Sequence, residues 1–351
     1  MADLIIDNKK ISSNYSIIKK MCNDNNLIFL PVTKCVRSVR EIISPLIELG
    51  LPIITDVHEQ NLSKWENTFP TALLSATRSI INTPYIPDVV YTADPFIINH
   101  LSDASEKVRF IIQLEMGGLR EGILPWMFKN LIQHIDDKHI NRITGFSTNY
   151  GCIHGITPDV DDINNFCDTS LRLSKMIQLS DPIIAAGGTI LFDFLTNKQL
   201  PHKLTHIRMG ESILFGFNTY TNTPIHGLEN EIFTLQGEVI ETKEVNTNIK
   251  GNNALNSFGE HFNNERLFMT NGIRKRAVIN FGSIIADFKY IRPITNGIII
   301  CAQSYDHSVI DITDCEHSLS PGDVISFDCK YDAVVKAFHH PYTTISYKGD
   351  V

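Results

Sequence analysis

The chain has 351 residues and a formal charge of −8, with 43% apolar and 20% charged residues, the composition of a soluble globular protein long enough for two domains with full cores. Net acidity without a basic stripe argues against a nucleic-acid partner. No stretch nears the ~18 consecutive apolar residues of a membrane span, and Asp3 in MADLIIDNKK stands where a secretory leader would carry positive charge, so no membrane association or export is expected.

The first two-thirds repeats one unit, a short β-branched run followed by a polar stretch with apolar residues three or four apart. The runs are Leu27–Thr33, Leu51–Thr55, Thr71–Ala76, Asp88–Thr92, Val108–Glu115, Asn141–Ser147, Pro182–Gly187 and Leu204–Met209. Helix-like stretches between them include Ser38–Leu49, Glu59–Phe69, Pro125–His134 and Ile163–Met176. Alternation of β and α predicts a parallel sheet covered by helices, and eight units predict an α/β fold closed as a (β/α)8 TIM-type barrel over 1–230. A doubly wound open sheet is the alternative. After about Asn230 the texture turns to short strands: Glu231–Glu241, then, past an Asn/Gly-rich loop at Asn246–Asn256, Arg276–Phe281, Gly297–Ala302, Ser308–Ile312, Val324–Cys329 and Ala333–Phe338. A C-terminal β-domain over 231–351 follows, and the first few residues, Asp3–Asp7, are candidates to pair with it. Cys22, Cys35, Cys152, Cys167, Cys301, Cys315 and Cys329 are odd in number and form no C-x-x-C pair, reading as reduced thiols of a cytoplasmic protein. The adjacent histidines His339 and His340 would diverge on a strand, so no metal site is expected.

Barrels of this kind carry chemistry where their strands end. The first run closes on Pro31-Val32-Thr33-Lys34, and a lysine there is partly stripped of water, which favours the neutral, nucleophilic amine; snorkelling to solvent is the alternative. The fifth run ends in Glu115-Met116-Gly117-Gly118-Leu119-Arg120-Glu121-Gly122, whose glycines bring Arg120 over the mouth. The seventh ends in Ala186-Gly187-Gly188-Thr189 and the eighth in Arg208-Met209-Gly210-Glu211-Ser212, each before a helix-like stretch. Small residues and unspent N–H groups at such places grip phosphate, although a Gly-Gly-Thr alone also fits a plain turn. A lysine, two arginines and a phosphate cup together point to pyridoxal 5′-phosphate held as a Schiff base.

At these residues the chain resembles the alanine racemase-like, fold-type III pyridoxal-phosphate enzymes, and most closely their ornithine racemase-like branch. The matching segments are Pro31-Val32-Thr33-Lys34, Gly118–Gly122, Ile207-Arg208-Met209-Gly210-Glu211-Ser212 with Phe215-Gly216, Gly272–Ala277, Ser304-Tyr305-Asp306-His307 and Tyr331–Phe338. The resemblance implies a racemase of a free small-molecule α-amino acid and a head-to-tail homodimer in which each β-domain completes the partner's site. It implies that Lys34 forms the Schiff base and serves as base on one substrate face. Arg208 would donate to the pyridine nitrogen and keep it unprotonated, because guanidinium has no proton to lose at working pH. Gly188, Thr189, Gly210 and Glu211 would hold the phosphate, Arg120 would lie near the phenolic oxygen and substrate carboxylate, and Asn149 and Cys152 would line the pocket.

Two departures bear on function. Cys35-Val36-Arg37-Ser38 follows the lysine where alanine racemase has Ala-x-Ala-Tyr-Gly, which removes one phosphate-binding tyrosine and makes alanine a poor substrate choice. The tyrosine that serves as second base in that enzyme is replaced within Gly282-Ser283-Ile284-Ile285. A racemase needs proton donors on both faces, and Tyr305, Asp306 and His307 are the nearest candidates, His307 foremost; a purely structural Asp306–His307 pair is the competing reading. The acidic Glu115, Glu121, Glu211 and Asp306 near the mouth would suit a longer or polar substrate, the alternative being that they pair with Arg120 and Arg208. The alternatives are a lyase on the same scaffold, either a decarboxylase or a D-hydroxyamino-acid aldolase, and a non-catalytic pyridoxal-phosphate-binding protein.

Overall fold

A computed structural model describes residues 2–218, 221–248, 254–255 and 272–349. The chain divides into two compact units, Lys10–Asn230 on the one hand and Met1–Lys9 with Glu231–Val351 on the other. Among the described residues no helix is long and apolar enough to cross a membrane, and all seven cysteines are free thiols.

In the larger unit eight parallel strands form one sheet: β2 (Ile28–Pro31), β3 (Ile54–Asp56), β4 (Thr71–Leu73), β5 (Val89–Thr92), β6 (Arg109–Gln113), β7 (Ile143–Asn149), β8 (Ile183–Gly187) and β9 (His206–Met209). Each of the eight sequence runs supplies one strand. The spatial order β2-β9-β8-β7-β6-β5-β4-β3 leaves β2 and β3 at the ends, and a parallel bridge between Val32 and Thr55 joins them, so the sheet is a nearly closed barrel. Strands buried on both faces need continuous apolar runs, as in Phe110-Ile111-Ile112 of β6, fully buried.

The intervening helices follow from their apolar spacing and caps. Helix Val160–Met176 buries Ile163, Phe166, Cys167, Ser170, Leu173 and Ser174, and it starts in a capping box in which Asp159 accepts from Asp162 N–H at 2.8 Å and Asp162 accepts from Asp159 N–H at 3.0 Å. Helix Pro95–Ala104 begins with Asp94 as its cap and proline in its first turn. Glu59–Phe69, expected as one helix, is a single turn at Glu59–Leu62 followed by a 3-10 turn at Ser63–Trp65.

Among the described residues the second unit holds one sheet of eight strands. Strand β1 (Ala2–Asp7) lies between β12 (Phe233–Asn246), to which it runs antiparallel, and β18 (Thr343–Lys348), to which it runs parallel. Strands β10 (Phe217–Asn218) and β11 (Thr223–Pro224) form a separate small hairpin in the barrel unit. β12 continues the β-domain sheet through β13 (Ile273–Ile279), β16 (Ser308–Asp311) and β15 (Ile299–Gln303) on one side and through β17 (Val324–Cys329) and β14 (Ile291–Pro293) on the other. The expectation of a strand at Ala333–Phe338 is corrected: Tyr331–His339 is a helix. Its buried residues Ala333, Val334, Ala337 and Phe338 share one helical face. His339 therefore closes a helix, its Nδ1 2.8 Å from Val335 O. Most of the Asn246–Asn256 loop lies outside the described residues.

Candidate active site

Lys34 follows β2 by three residues. Val32 N–H donates to Met209 O at 2.9 Å and Thr33 N–H to Thr55 O at 3.2 Å, so the end of β2 is gripped from both neighbouring strands. The Thr55 hydroxyl also donates to Pro31 O. Lys34-Cys35-Val36 then make a single 3-10 turn, with Val36 N–H to Thr33 O at 3.1 Å. Cys35 and Val36 are buried, leaving half-buried Lys34 as the turn's accessible side chain. Burial pushes the Cys35 thiol far up, with Glu211 and Asp56 adding to the effect, so it stays protonated.

Arg208 is the third residue of β9 and is buried. Its Nη1 donates to Ser147 Oγ at 2.5 Å and its Nη2 to Thr148 O at 3.1 Å, and the guanidinium lies 5.0 Å from the centre of the Tyr91 ring. Burial pulls its pKa downward while Tyr91 and Glu121 hold it up. Gly187 is required beneath it: a Cβ there would come within 2.5 Å of Asn149 Oδ1 and 2.6 Å of Arg208 Nη2. Ser147 and Tyr91 escaped sequence reading because they lie inside strands rather than after them.

Two short helices start beside each other after neighbouring strands, Leu191–Thr196 after β8 and Glu211–Phe215 after β9. Gly188, at φ 126°, passes within reach of Tyr150 O, where a Cβ would stand only 2.5 Å away. Its own N–H is spent on Arg208 O at 3.0 Å, so Gly188 shapes the turn without donating from it. The N–H groups of Thr189, Ile190, Gly210 and Glu211 donate to no acceptor among the described residues, as helix starts leave them. The Ser212 hydroxyl is also buried and without a partner. Such a set of orphan donors fits a bound phosphate. The half-buried Glu211 carboxyl is raised by burial, an effect that the Lys34 charge only partly offsets, and it makes no hydrogen bond or ion pair with another described residue.

The loop after β6 is organised by Glu115, which accepts from Gly117 N–H at 2.6 Å and Arg120 N–H at 3.1 Å. Burial alone would raise this carboxyl, but the backbone donors from Gly117 to Arg120 outweigh it and hold it below its usual range. The Arg120 side chain pairs with both oxygens of Glu121 and sets Nη1 2.9 Å from Cys152 Sγ. Arg120, Glu121, Asn149 and Cys152 line one cleft. The barrel candidates thus share the C-terminal end of the strands. Lys34 follows β2, Arg120 follows β6, Asn149 ends β7, Thr189 follows β8, and Arg208 and Glu211 belong to β9 and the helix after it.

Within the β-domain, Tyr305, Asp306 and His307 are exposed on the turn between β15 and β16. Gly282-Ser283-Ile284-Ile285 backs directly onto this turn. Ser283 N–H donates to Ser304 O at 2.9 Å and Ile284 N–H to Tyr305 O at 3.2 Å, and a Cβ on Gly282 would stand 2.5 Å from Tyr305 O and 2.6 Å from His307 N. The segment lacking the tyrosine and the residues offered in its place are therefore neighbours. Among the described residues no ion pair joins Asp306 to His307.

No protein-family model matches the chain. It is 28% identical to the ornithine racemase of Acetoanaerobium sticklandii over 97% of each chain. It is 26% identical to the lysine racemase of Thermotoga maritima over 99% of each. Among solved structures, the alanine racemase of D-cycloserine-producing Streptomyces lavendulae superposes with a TM-score of 0.75 at 12% identity, covering 100% of this chain and 97% of that one. That of Bartonella henselae, with covalently bound pyridoxal phosphate, gives 0.72 at 14% identity and 99% coverage of each. The chain thus shares the fold of the alanine racemases and is similar over nearly its full length to an ornithine racemase and a lysine racemase.

Proposed function

We propose that the chain is a pyridoxal 5′-phosphate-dependent amino-acid racemase, interconverting the L and D forms of a free α-amino acid. The observation that carries this reading is the meeting, at one end of the barrel, of half-buried Lys34, rigidly held Arg208 and two adjacent helix starts with unspent donors. The full-length likeness to two amino-acid racemases supports it. When bound, the cofactor supplies an electron sink that lets the Cα–H bond of an amino acid ionise. Lys34 holds the cofactor and takes or returns the proton at Nζ on one substrate face. Arg208, fixed by Ser147 and Thr148, presents a donor that does not give up its proton. The N–H groups of Thr189, Gly210 and Glu211 receive the phosphate, and Arg120, balanced by Glu121, orients the substrate carboxylate.

The opposite face needs a second proton carrier, and His307, with Tyr305 and Asp306 beside it, supplies it from a second copy of the chain in a homodimer. Exposed Leu119, Trp126, Ile153 and Ile156 on the loops after β6 and β7, with exposed Ile284 and Tyr305 on the β-domain, support such an interface. The unpaired Glu211 carboxyl supports a substrate with a second amino group, as do the names of the two relatives. Free thiols support a cytoplasmic location.

The test is chiral chromatography of ornithine, lysine and a panel of other amino acids in deuterium oxide. Deuterium entering Cα with carboxylate and side chain retained is expected, and Lys34→Ala should abolish both turnover and the visible absorbance of bound cofactor. Loss of carboxylate or side chain would indicate a lyase, and bound cofactor without turnover across the panel would indicate a non-catalytic binding protein; either refutes the reading.

A further inference from the structure

The turn that carries Lys34 ends in two successive residues, Arg37 and Ser38, with left-handed backbone at φ 54° and 45°. Neither is glycine, and residues in this region persist only where surrounding structure holds them. Here the hold is visible. Ser38 N–H reaches back to Thr33 O at 3.4 Å, closing the loop around Lys34. The Ser38 hydroxyl donates to Asp56 Oδ2 at 2.7 Å and lies 2.9 Å from Thr33 Oγ1. Because serine has one hydroxyl proton and the carboxylate takes it, Thr33 is the donor to Ser38. Trp65 Nε1–H donates to Ser38 O at 2.8 Å. The fully buried Asp56, at the end of β3, also accepts from Val57 N–H at 2.7 Å, His58 N–H at 3.0 Å and Asn61 Nδ2 at 3.2 Å.

We propose that Thr33, Ser38 and Asp56 are positioning residues that aim the Lys34 amine for cofactor attachment and proton transfer. The inference rests on the reading of Lys34 given above. The relay Thr33→Ser38→Asp56 ends on a charge and therefore polarises in one direction. Asp56 keeps three other donors without Ser38, so its burial does not depend on the serine. What Ser38 adds is the tie between both ends of the Lys34 loop and β3. A lysine on a flexible four-carbon stem reacts from a defined place only if its backbone is fixed, since an error near 1 Å at a reacting group costs roughly a hundredfold in rate.

The experiment uses the full chain stripped of cofactor and titrated with pyridoxal 5′-phosphate. It reads the dissociation constant, the pH dependence of the bound cofactor's visible absorbance, and the rate of borohydride fixation at Lys34 by peptide mass. Ser38→Ala is expected to weaken binding roughly ten- to hundredfold, the range seen when groups behind a ligand are removed, and to shift the absorbance–pH curve. Ser38→Gly, which suits φ 45° and relaxes the backbone, should show the same loss while folding at least as well. Thr33→Val should give a smaller loss in the same direction, and Thr33→Ser, which restores the hydroxyl, should recover it. Wild-type chain that fixes no cofactor at Lys34 would overturn both readings. Wild-type fixation with unchanged constants and pH curves in the Ser38 and Thr33 variants would overturn this inference alone.

Discussion

Gly187→Ala isolates the packing beneath Arg208. Gly187 is not in a left-handed conformation, so alanine is allowed by its backbone and the perturbation is steric. The new Cβ would stand 2.5 Å from Asn149 Oδ1, 2.6 Å from Arg208 Nη2 and 3.1 Å from Arg208 Cζ. A surface arginine would swing aside, but Arg208 is only 4% exposed and is held by Ser147, Thr148 and the Tyr91 ring. Overpacking of this kind costs about 1–3 kcal/mol, which at 2–4 °C per kcal/mol lowers the melting temperature by roughly 2–12 °C. Because the displaced group is the one assigned to the cofactor ring, the absorbance of bound pyridoxal phosphate should shift as well. Gly145→Ala is the control: its Cβ would press on the Ile183 carbonyl and come within 2.7 Å of Ile183 Cβ. That variant should lose stability without shifting the absorbance. Thermal melts with and without cofactor, paired with spectra, decide the matter, and a Gly187→Ala chain that melts and absorbs like wild type would refute the packing argument.

His307→Asn should slow proton transfer on one face only, giving unequal solvent isotope effects for the two enantiomers, and equal effects would remove His307 from the reaction. Burial, reinforced by the Arg208 charge, pulls His206 down to about 4 from 6.5. The unfolded chain then binds the proton that the fold refuses, so stability should fall as pH drops from 6.5 towards 4, by at most about 3 kcal/mol. Urea melts at pH 7 and pH 4.5 measure this, and His206→Gln should flatten the slope.

The barrel was legible because each strand is a compact apolar run and each run ends in a residue that the topology carries to one rim. The same reading placed Lys34, Arg120, Thr189, Arg208 and Glu211 at that rim, which is where the strands end. It missed Tyr91 and Ser147, which sit within strands and meet Arg208 across the barrel, and Asp56, whose link to Ser38 spans neighbouring strands. No local pattern marks such pairs, since closure of the sheet creates them. Ala333–Phe338 misled because Val334-Val335 within a six-residue window resembles a strand. The buried spacing of 333, 334, 337 and 338 becomes decisive only over the full helix.

Strand β1 has a consequence for how the molecule is made. Residue 6 pairs with residue 233 on one side and residue 347 on the other, so β1 gains its first partner only after residue 233 is made and its second only after residue 347. Until then β1 lacks the strand on one or both of its sides and presents an open edge to any passing extended peptide. Synthesis of this protein therefore includes an interval in which protection by chaperones, or by a slowly moving ribosome, matters most.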